Sequence, residues 1–420
     1  MLFMSACETA EYSIKDIDPT FKGKFLDEAV EGLEYKGASD EVRLTTTGGY
    51  YEYTKGSILE FYVGALNLGS SHATEIITPR ELAGTSAVID DNTVSNRIRF
   101  MLALDSNKSR IGIQISPETR QKAKSWKSSM DFNLSGDAFD EEIRDVIKAP
   151  PYTLPSHLVS KEEAISHFEK TLRCAYSGGY EGNWVSNESN EKFGFVGAMI
   201  QATGPVLIMG SVEGESNATT QIIYMNGTHD VNTKKFSFGT NTSSAYYFDS
   251  ELGKLAPMQG SIIYGKAENE TYNYAKGDFI NIIDQLPVIG RFELNRADAL
   301  PNAAYRYTGY GYPLGTIEGQ ESIEDIVGMV IFDIDATGYV SGMIHNVSRP
   351  FDQPELFGQV DYATGQISIV IKSTPKAVLK GIMNFDNTSG NTKIDWLPDV
   401  LNASPYGYVQ VTGCQLQAIE

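Results

Sequence analysis

Gly328-Met-Val-Ile-Phe-Asp-Ile-Asp-Ala-Thr-Gly-Tyr-Val-Ser-Gly-Met-Ile-His-Asn346 is the stretch on which the fold turns. Two runs rich in Val, Ile, Phe and Met flank the turn-forming group Asp335-Ala-Thr-Gly338, so the segment predicts an antiparallel hairpin. Asp333, Asp335 and Thr337 also imitate the first half of a calcium loop, yet Ile344 stands where such a loop needs a bidentate Glu. The Thr-Gly turn recurs without the acids in Gln201-Ala-Thr-Gly204, which favours a turn over a metal site.

That recurrence belongs to a longer internal duplication. Tyr176-Ser-Gly-Gly-Tyr180, Gly197-Ala-Met-Ile200, Gly227 with Phe236-Ser-Phe238, and Gly260-Ser-Ile-Ile-Tyr264 form one series. Tyr307-Thr-Gly-Tyr310, Gly328-Met-Val-Ile331, Gly358 with Ile367-Ser-Ile369, and Gly381-Ile-Met-Asn-Phe385 form the other. Asp230 and Asp361 fall at the same offset after Gly227 and Gly358. Each copy reads as hairpin strands whose glycines mark turns or close backbone approach. The expected class is mainly β: a small N-terminal β module with a helical connector, then a duplicated antiparallel β domain, barrel- or sandwich-like. The expected divisions are a tether over 1–24, the module over 25–148, a linker and helix over 149–174, and repeats over 175–300 and 301–420.

Composition agrees with that class. In 420 residues there are 39 Gly, 23 Tyr and 19 Phe, which suits antiparallel sheet broken by frequent turns. The 34 basic residues against 54 acidic ones give a net charge of -20, which disfavours nucleic acid and anionic headgroups as partners. No run of about twenty apolar residues supplies a membrane-spanning helix.

The N-terminal third carries short strands separated by turns. Val30-Glu-Gly-Leu-Glu-Tyr35, Gly49-Tyr-Tyr-Glu-Tyr53, Gly64-Ala-Leu-Asn-Leu-Gly69, Thr78-Pro-Arg-Glu-Leu82, Phe100-Met-Leu-Ala-Leu-Asp105 and Gly112-Ile-Gln-Ile115 follow one another in order. This series resembles a short-strand N-terminal module of Gram-negative secreted proteins and cell-envelope lipoproteins, over residues 25–148. The resemblance implies a cell-envelope address more than an activity. The chain departs from it at Asp105-Ser-Asn-Lys-Ser-Arg110, where Lys108 and Arg110 oppose any cation on that turn. Helices are predicted over Thr93–Leu104 and Phe139–Ile147 from their apolar faces, and from Ser160 to about Leu172, with Ser160 and Glu163 forming a capping box.

The three cysteines speak to the same address. Leu2-Phe-Met-Ser-Ala-Cys7 reads as the end of a lipoprotein signal with Cys7 as the lipidated residue, although the basic segment and most of the apolar run are missing. Cys174 and Cys414 then remain as a pair, and their spacing suits one structural disulfide in an oxidising compartment rather than a zinc or redox motif. The expected location is the bacterial cell envelope, with an outer-membrane lipid anchor.

No catalytic motif survives scrutiny. The five histidines share no metal-binding spacing, and Gly260-Ser-Ile-Ile-Tyr-Gly-Lys266 lacks the hydroxyl residue of a phosphate loop and alternates like a strand. Asp137, Asp140, Glu141 and Glu142 open a helix, where acids favour the dipole. Tyr305, Tyr307, Tyr310 and Tyr312 form a tyrosine ribbon suited to contacting a glycan or protein partner. The expected role is non-catalytic binding or surface structure, with no cofactor and no metal; the competing one is a polysaccharide hydrolase using a carboxylate pair.

Overall fold

The quoted hairpin is present: strands Gly328–Asp335 and Tyr339–Asn346 pair antiparallel, from Gly328 opposite Asn346 to Ile334 opposite Val340. This computed structural model describes residues 20–146 and 158–417, except 38, 40, 85–86, 109–111, 188, 213–222, 239–244, 250–253, 265–273, 284–285, 298–299, 301, 323–324, 347–353, 373–375 and 401–403. Cys7 and most of the expected tether lie outside the described residues. Among the described residues no helix is long and apolar enough to cross a membrane.

The fold is mainly β, as the sequence predicts. Eight consecutive strands from Ala303–Pro313 to Gly407–Gln415 close into a barrel, the first and last pairing antiparallel from Tyr305 opposite Gln415 to Pro313 opposite Gly407. Period-two alternation gives each strand one face to the lumen and one to the outside. Val330, Phe332 and Ile334 join the luminal core, whereas Met329 and Ile331 belong to a separate apolar layer outside it.

The first copy makes a nine-stranded sheet over Gly178–Arg296 that also closes, through pairing of Pro205–Val212 with Ile223–Asp230. Its additional strand, Ala245–Asp249, pairs with both Ile223–Asp230 and Lys254–Tyr264. The ladders show which residues of the two copies correspond. Gly182 faces Val196 and Gly309 faces Val330, while Val206 faces Gly227 and Val340 faces Gly358. Gly227 and Gly358, with Asp230 and Asp361, are therefore true counterparts. Two sequence-based glycine matches slip: Gly197 corresponds to Ile331 rather than Gly328, and Gly260 to Leu379 rather than Gly381. The slips arise because connections differ in length between the copies, so equal spacing along the chain does not mean equal place in the ladder. Gly182 and Gly309 play one role, since a side chain on either would collide with a carbonyl of the neighbouring strand, Glu293 O or Gln410 O. Such glycines let strands bend far enough to close a barrel.

Gly197 has a different purpose. A Cβ there would lie 2.8 Å from His345 Nδ1, and one on Gly179 would lie 3.3 Å from Ile331 Cδ1. These glycines are notches in the outer face of the first barrel that receive side chains of the second. Met199 and Leu207 meet Met329, Ile331, Met343, Tyr312 and Tyr408 in the same layer.

The N-terminal module packs Phe25, Tyr35, Tyr51 and Phe61 into one aromatic core beneath helix Asn92–Leu104. Residues 20–24, expected in the tether, instead belong to strand Thr20–Phe25, which pairs antiparallel with Tyr50–Thr54 and parallel with Ile76–Ile77. Partners on both sides hold a segment whose own composition is polar. Helices Asn92–Leu104 and Gly136–Val146 fall where expected. Helix Lys161–Tyr176 starts at the predicted Ser160–Glu163 capping box and runs one turn beyond Leu172. It delivers Cys174 to Cys414, and the two form a disulfide with Cα atoms 5.7 Å apart.

Candidate functional site

The four tyrosines of strand Ala303–Pro313 do not form one ribbon. Tyr305 and Tyr307 share parity and face the lumen of the second barrel, whereas Tyr310 and Tyr312 face the layer between the barrels. Each pair is thus enclosed rather than spread over an open sheet face: Tyr307 is 0% exposed, Tyr305 4% and Tyr312 5%. Tyr312 packs on Tyr408 with ring centres 5.3 Å apart, and the Tyr408 hydroxyl donates to Glu321 at 2.9 Å.

Inside the lumen the aromatic rings make a column. Phe332 lies 5.3 Å from Tyr307, Tyr307 lies 6.4 Å from Tyr305, and Tyr305, Tyr362 and Phe385 close one end with centroids 4.8 to 6.0 Å apart. The Tyr362 hydroxyl donates to Asp335 O at 2.5 Å, which fixes that plug to the hairpin turn. Burial pushes the Tyr305 phenol up to about 12 and raises Tyr307 further, so both hydroxyls stay protonated at neutral pH. The Tyr307 hydroxyl is buried and pairs with no protein group among the described residues.

The opposite end carries Trp396, at a luminal register position beside Leu379 and Gly407. Its Nε1 is also buried without a protein partner among the described residues. Gly311 lies on the luminal face two residues beyond Gly309, where a Cβ would make ordinary contacts, 3.7 Å from Val327 Cγ2 and 3.8 Å from Gly328 O. An eight-stranded barrel is wide enough for its own side chains or for one small ligand.

Two polar centres lie outside the lumen. Arg306 Nε and Nη2 make a bidentate pair with Asp333 at 2.8 and 2.9 Å, and Arg306 Nη1 donates to Ser177 O at 3.0 Å. Arg296 donates to Ala175 O at 2.9 Å and Ser177 O at 2.5 Å, and Leu300 N donates to Asp333 at 3.0 Å. Asp333, an acid of the calcium-like series, is therefore committed to an arginine. Asp335 accepts from Thr337 N, Thr337 Oγ1 and Tyr339 N at 2.8, 2.6 and 3.0 Å, as a turn residue does. Lys24 approaches this centre, and burial, then the nearby Arg306 charge, bring its ammonium down to about 7 against an opposing pull from Asp333.

The second centre joins the module to the connecting helix. His167 Nε2 lies 3.4 Å from Asp27 Oδ1 and Nδ1 lies 3.7 Å from Glu28 Oε1, an ion pair without hydrogen-bond alignment. Burial opposes the imidazolium, but Asp27 and Glu28 outweigh it and raise His167 to about 9. Burial raises the Asp27 carboxyl despite that histidine. Asp27 is fully enclosed, so a polysaccharide chain cannot reach this carboxylate pair. Of the acidic cluster at the start of helix Gly136–Val146, Asp140 is paired with Arg99. Among the described residues no three His, Cys, Asp or Glu side chains are gathered as metal ligands.

Sequence reasoning passed over Trp396, Tyr362 and the Arg306–Asp333 pair. The alternation in Thr392-Lys-Ile-Asp-Trp396 was the available signal for Trp396. Nothing local marked the ion pair, whose members are 27 residues apart.

No protein-family profile matches the chain, and no curated protein matches it. A solved structure from Nitrosomonas europaea, provisionally described as AttH, aligns over 56% of this chain and 91% of its own at 8% identity, with a TM-score of 0.18. At that score the likeness carries no inference about fold or function.

Proposed function

We propose that the protein is a non-catalytic binding component of the bacterial cell envelope, lipid-anchored through Cys7, that holds a small apolar ligand in the lumen of its second barrel. The observation that carries the binding role is the Tyr307 hydroxyl, buried in an aromatic column with no protein partner among the described residues. A buried hydroxyl without a partner costs roughly 1–3 kcal/mol, so it favours a guest offering a polar atom. The Cys174–Cys414 bridge supports an oxidising compartment.

The neutral fluorophore N-phenyl-1-naphthylamine tests the binding role. It is expected to bind saturably at one per chain, with binding lost in Gly311→Leu and kept in Tyr310→Phe, whose side chain lies outside the lumen. Absence of saturable binding, or binding indifferent to Gly311→Leu, overturns the reading. The address is tested separately by metabolic labelling with a fatty-acid probe, where label is expected on the native protein and lost in Cys7→Ser. Label that persists in that variant removes Cys7 as the anchor.

A further inference from the structure

We propose that the Asp27-Glu28 turn of the N-terminal module is a proton-operated latch, closed on helix Lys161–Tyr176 while the His167 imidazole carries its proton and opened when that proton leaves. Asp27 is the residue that requires it. Its side chain is 0% exposed, and neither carboxylate oxygen accepts a hydrogen bond among the described residues. The positive charge beside it is His167, whose Nε2 lies 3.4 Å from Asp27 Oδ1 and whose Nδ1 lies 3.7 Å from Glu28 Oε1. A carboxylate enclosed in this way is tolerated beside a counter-charge and is costly without one. Unlike an arginine or a lysine in that place, an imidazole gives up its charge readily. The His167 side chain is 22% exposed, which gives solvent a route to the ring.

The turn is fastened on both sides. Leu26 N donates to Ile77 O at 2.9 Å, Ile113 N to Ala29 O at 3.0 Å and Gly112 N to Glu28 Oε2 at 2.7 Å, which hold its shoulders to the module. Toward the helix, Glu28 N donates to Thr171 Oγ1 at 3.2 Å, one helical turn beyond His167. Glu28 has a φ of 52°, in the left-handed region that a residue with a side chain seldom occupies. Backbone strain of this kind persists where surrounding contacts hold it, so losing the helix contact also relieves strain. The charges agree in direction. Burial and the nearby Lys170 oppose the His167 proton, but Asp27 and Glu28 outweigh them and raise the imidazole to about 9. Burial raises the Asp27 carboxyl against the pull of His167. Burial raises Glu28 too, with Asp27 and Asp105 adding to it and His167 and Gly112 N opposing. Each titrating group of the latch thus holds its proton more tightly when closed, so closing takes up protons. For His167 the stabilisation is complete below its ordinary value of 6.5 and disappears as pH rises through about 9. The latch is therefore shut at neutral pH and opens in alkali.

Two measurements on the full chain test this. With histidines labelled at Cε1 and the signal assigned by its loss in His167→Gln, NMR is expected to show His167 titrating at about 9 rather than 6.5. Hydrogen exchange, corrected for the intrinsic rate, is expected to show the Glu28 amide losing protection about tenfold per pH unit above about 9, while strand Gly328–Asp335 keeps its own. Variants separate charge from packing. His167→Gln leaves the Asp27 carboxylate without a counter-charge, so protection at Glu28 is expected to be low already at pH 7. Asp27→Asn removes the buried charge, so protection is expected to persist to pH 10, and adding it to His167→Gln is expected to restore protection. Retained protection in the barrel strand shows that each variant is folded. A His167 that titrates at or near 6.5, a native Glu28 amide protected equally at pH 7 and pH 10, or no rescue by Asp27→Asn overturns the latch. Simultaneous loss of protection in the barrel strand overturns it too, because the alkaline event is then global unfolding.

Discussion

Arg306 ties the first strand of the second barrel to the segment that leads into the first. Its guanidinium is held by Asp333 on one side and by Ser177 O on the other, and both side chains are almost fully enclosed. A buried pair of this kind adds little over an apolar replacement, because desolvation offsets the attraction, but removing one partner strands the other charge. Arg306→Ala is therefore expected to lower stability by about 3–5 kcal/mol, read as a fall in the urea midpoint. Joint replacement by Arg306→Met and Asp333→Leu is expected to recover most of that loss. A single variant within about 1 kcal/mol of the native protein would show that the pair is solvated in solution. Lys24 lies near the same charges, and its ammonium brought down to about 7 reflects the burial of the site as well as Arg306.

At the scale of elements, helix Lys161–Tyr176 does two jobs. Its start is fixed locally by the capping box, where Ser160 Oγ accepts from Glu163 N and Glu163 accepts from Ser160 N. Its body carries His167 against Asp27 and Glu28, and Ala164, Phe168 and Leu172 into an apolar cluster with Ile89, Val94, Ile98 and Val231. The helix therefore touches the module, the first barrel and, through Cys174, the second barrel. The barrel strands are tied differently. Gly182 and Gly309 allow bending toward closure, whereas Gly179 and Gly197 allow approach between barrels, so one residue type meets two unrelated needs.

Over the whole molecule, the Cys174–Cys414 bridge closes a loop spanning 240 residues and encloses both barrels. In the chain-entropy model such a loop contributes about 5 kcal/mol, reduced wherever the unfolded chain keeps structure. Reduction, or paired Cys174→Ser and Cys414→Ser, is expected to lower the urea midpoint of the barrels clearly, measured beside the untreated protein. An unchanged midpoint would mean that the inter-barrel layer alone holds the ends together. That layer is substantial, with Met199, Leu207, Met329, Ile331, Met343 and Tyr408 all buried in it. The predicted outcome is a less stable protein rather than an unfolded one.

The sequence by itself determined the β class, the hairpin around Asp335-Ala-Thr-Gly338, the existence of a duplication, the capped start of the connecting helix and the cysteine pair. All of these follow from local chemistry: turn formers, period-two alternation, capping residues and residue type. The different parity of Tyr305 and Tyr307 from Tyr310 and Tyr312 was already in the chain, but which parity faces the lumen was decided only by closure of the barrel. Closure likewise decided that Gly197 answers to Ile331, because strand register depends on pairing between segments and not on spacing along one. Tertiary structure alone brought Arg306 to Asp333 and His167 to Asp27, and set Trp396 between Leu379 and Gly407 on the luminal face. The physical reason is common to all of them: alternation fixes that a strand has two faces, while only the packing of distant strands and barrels decides what each face meets.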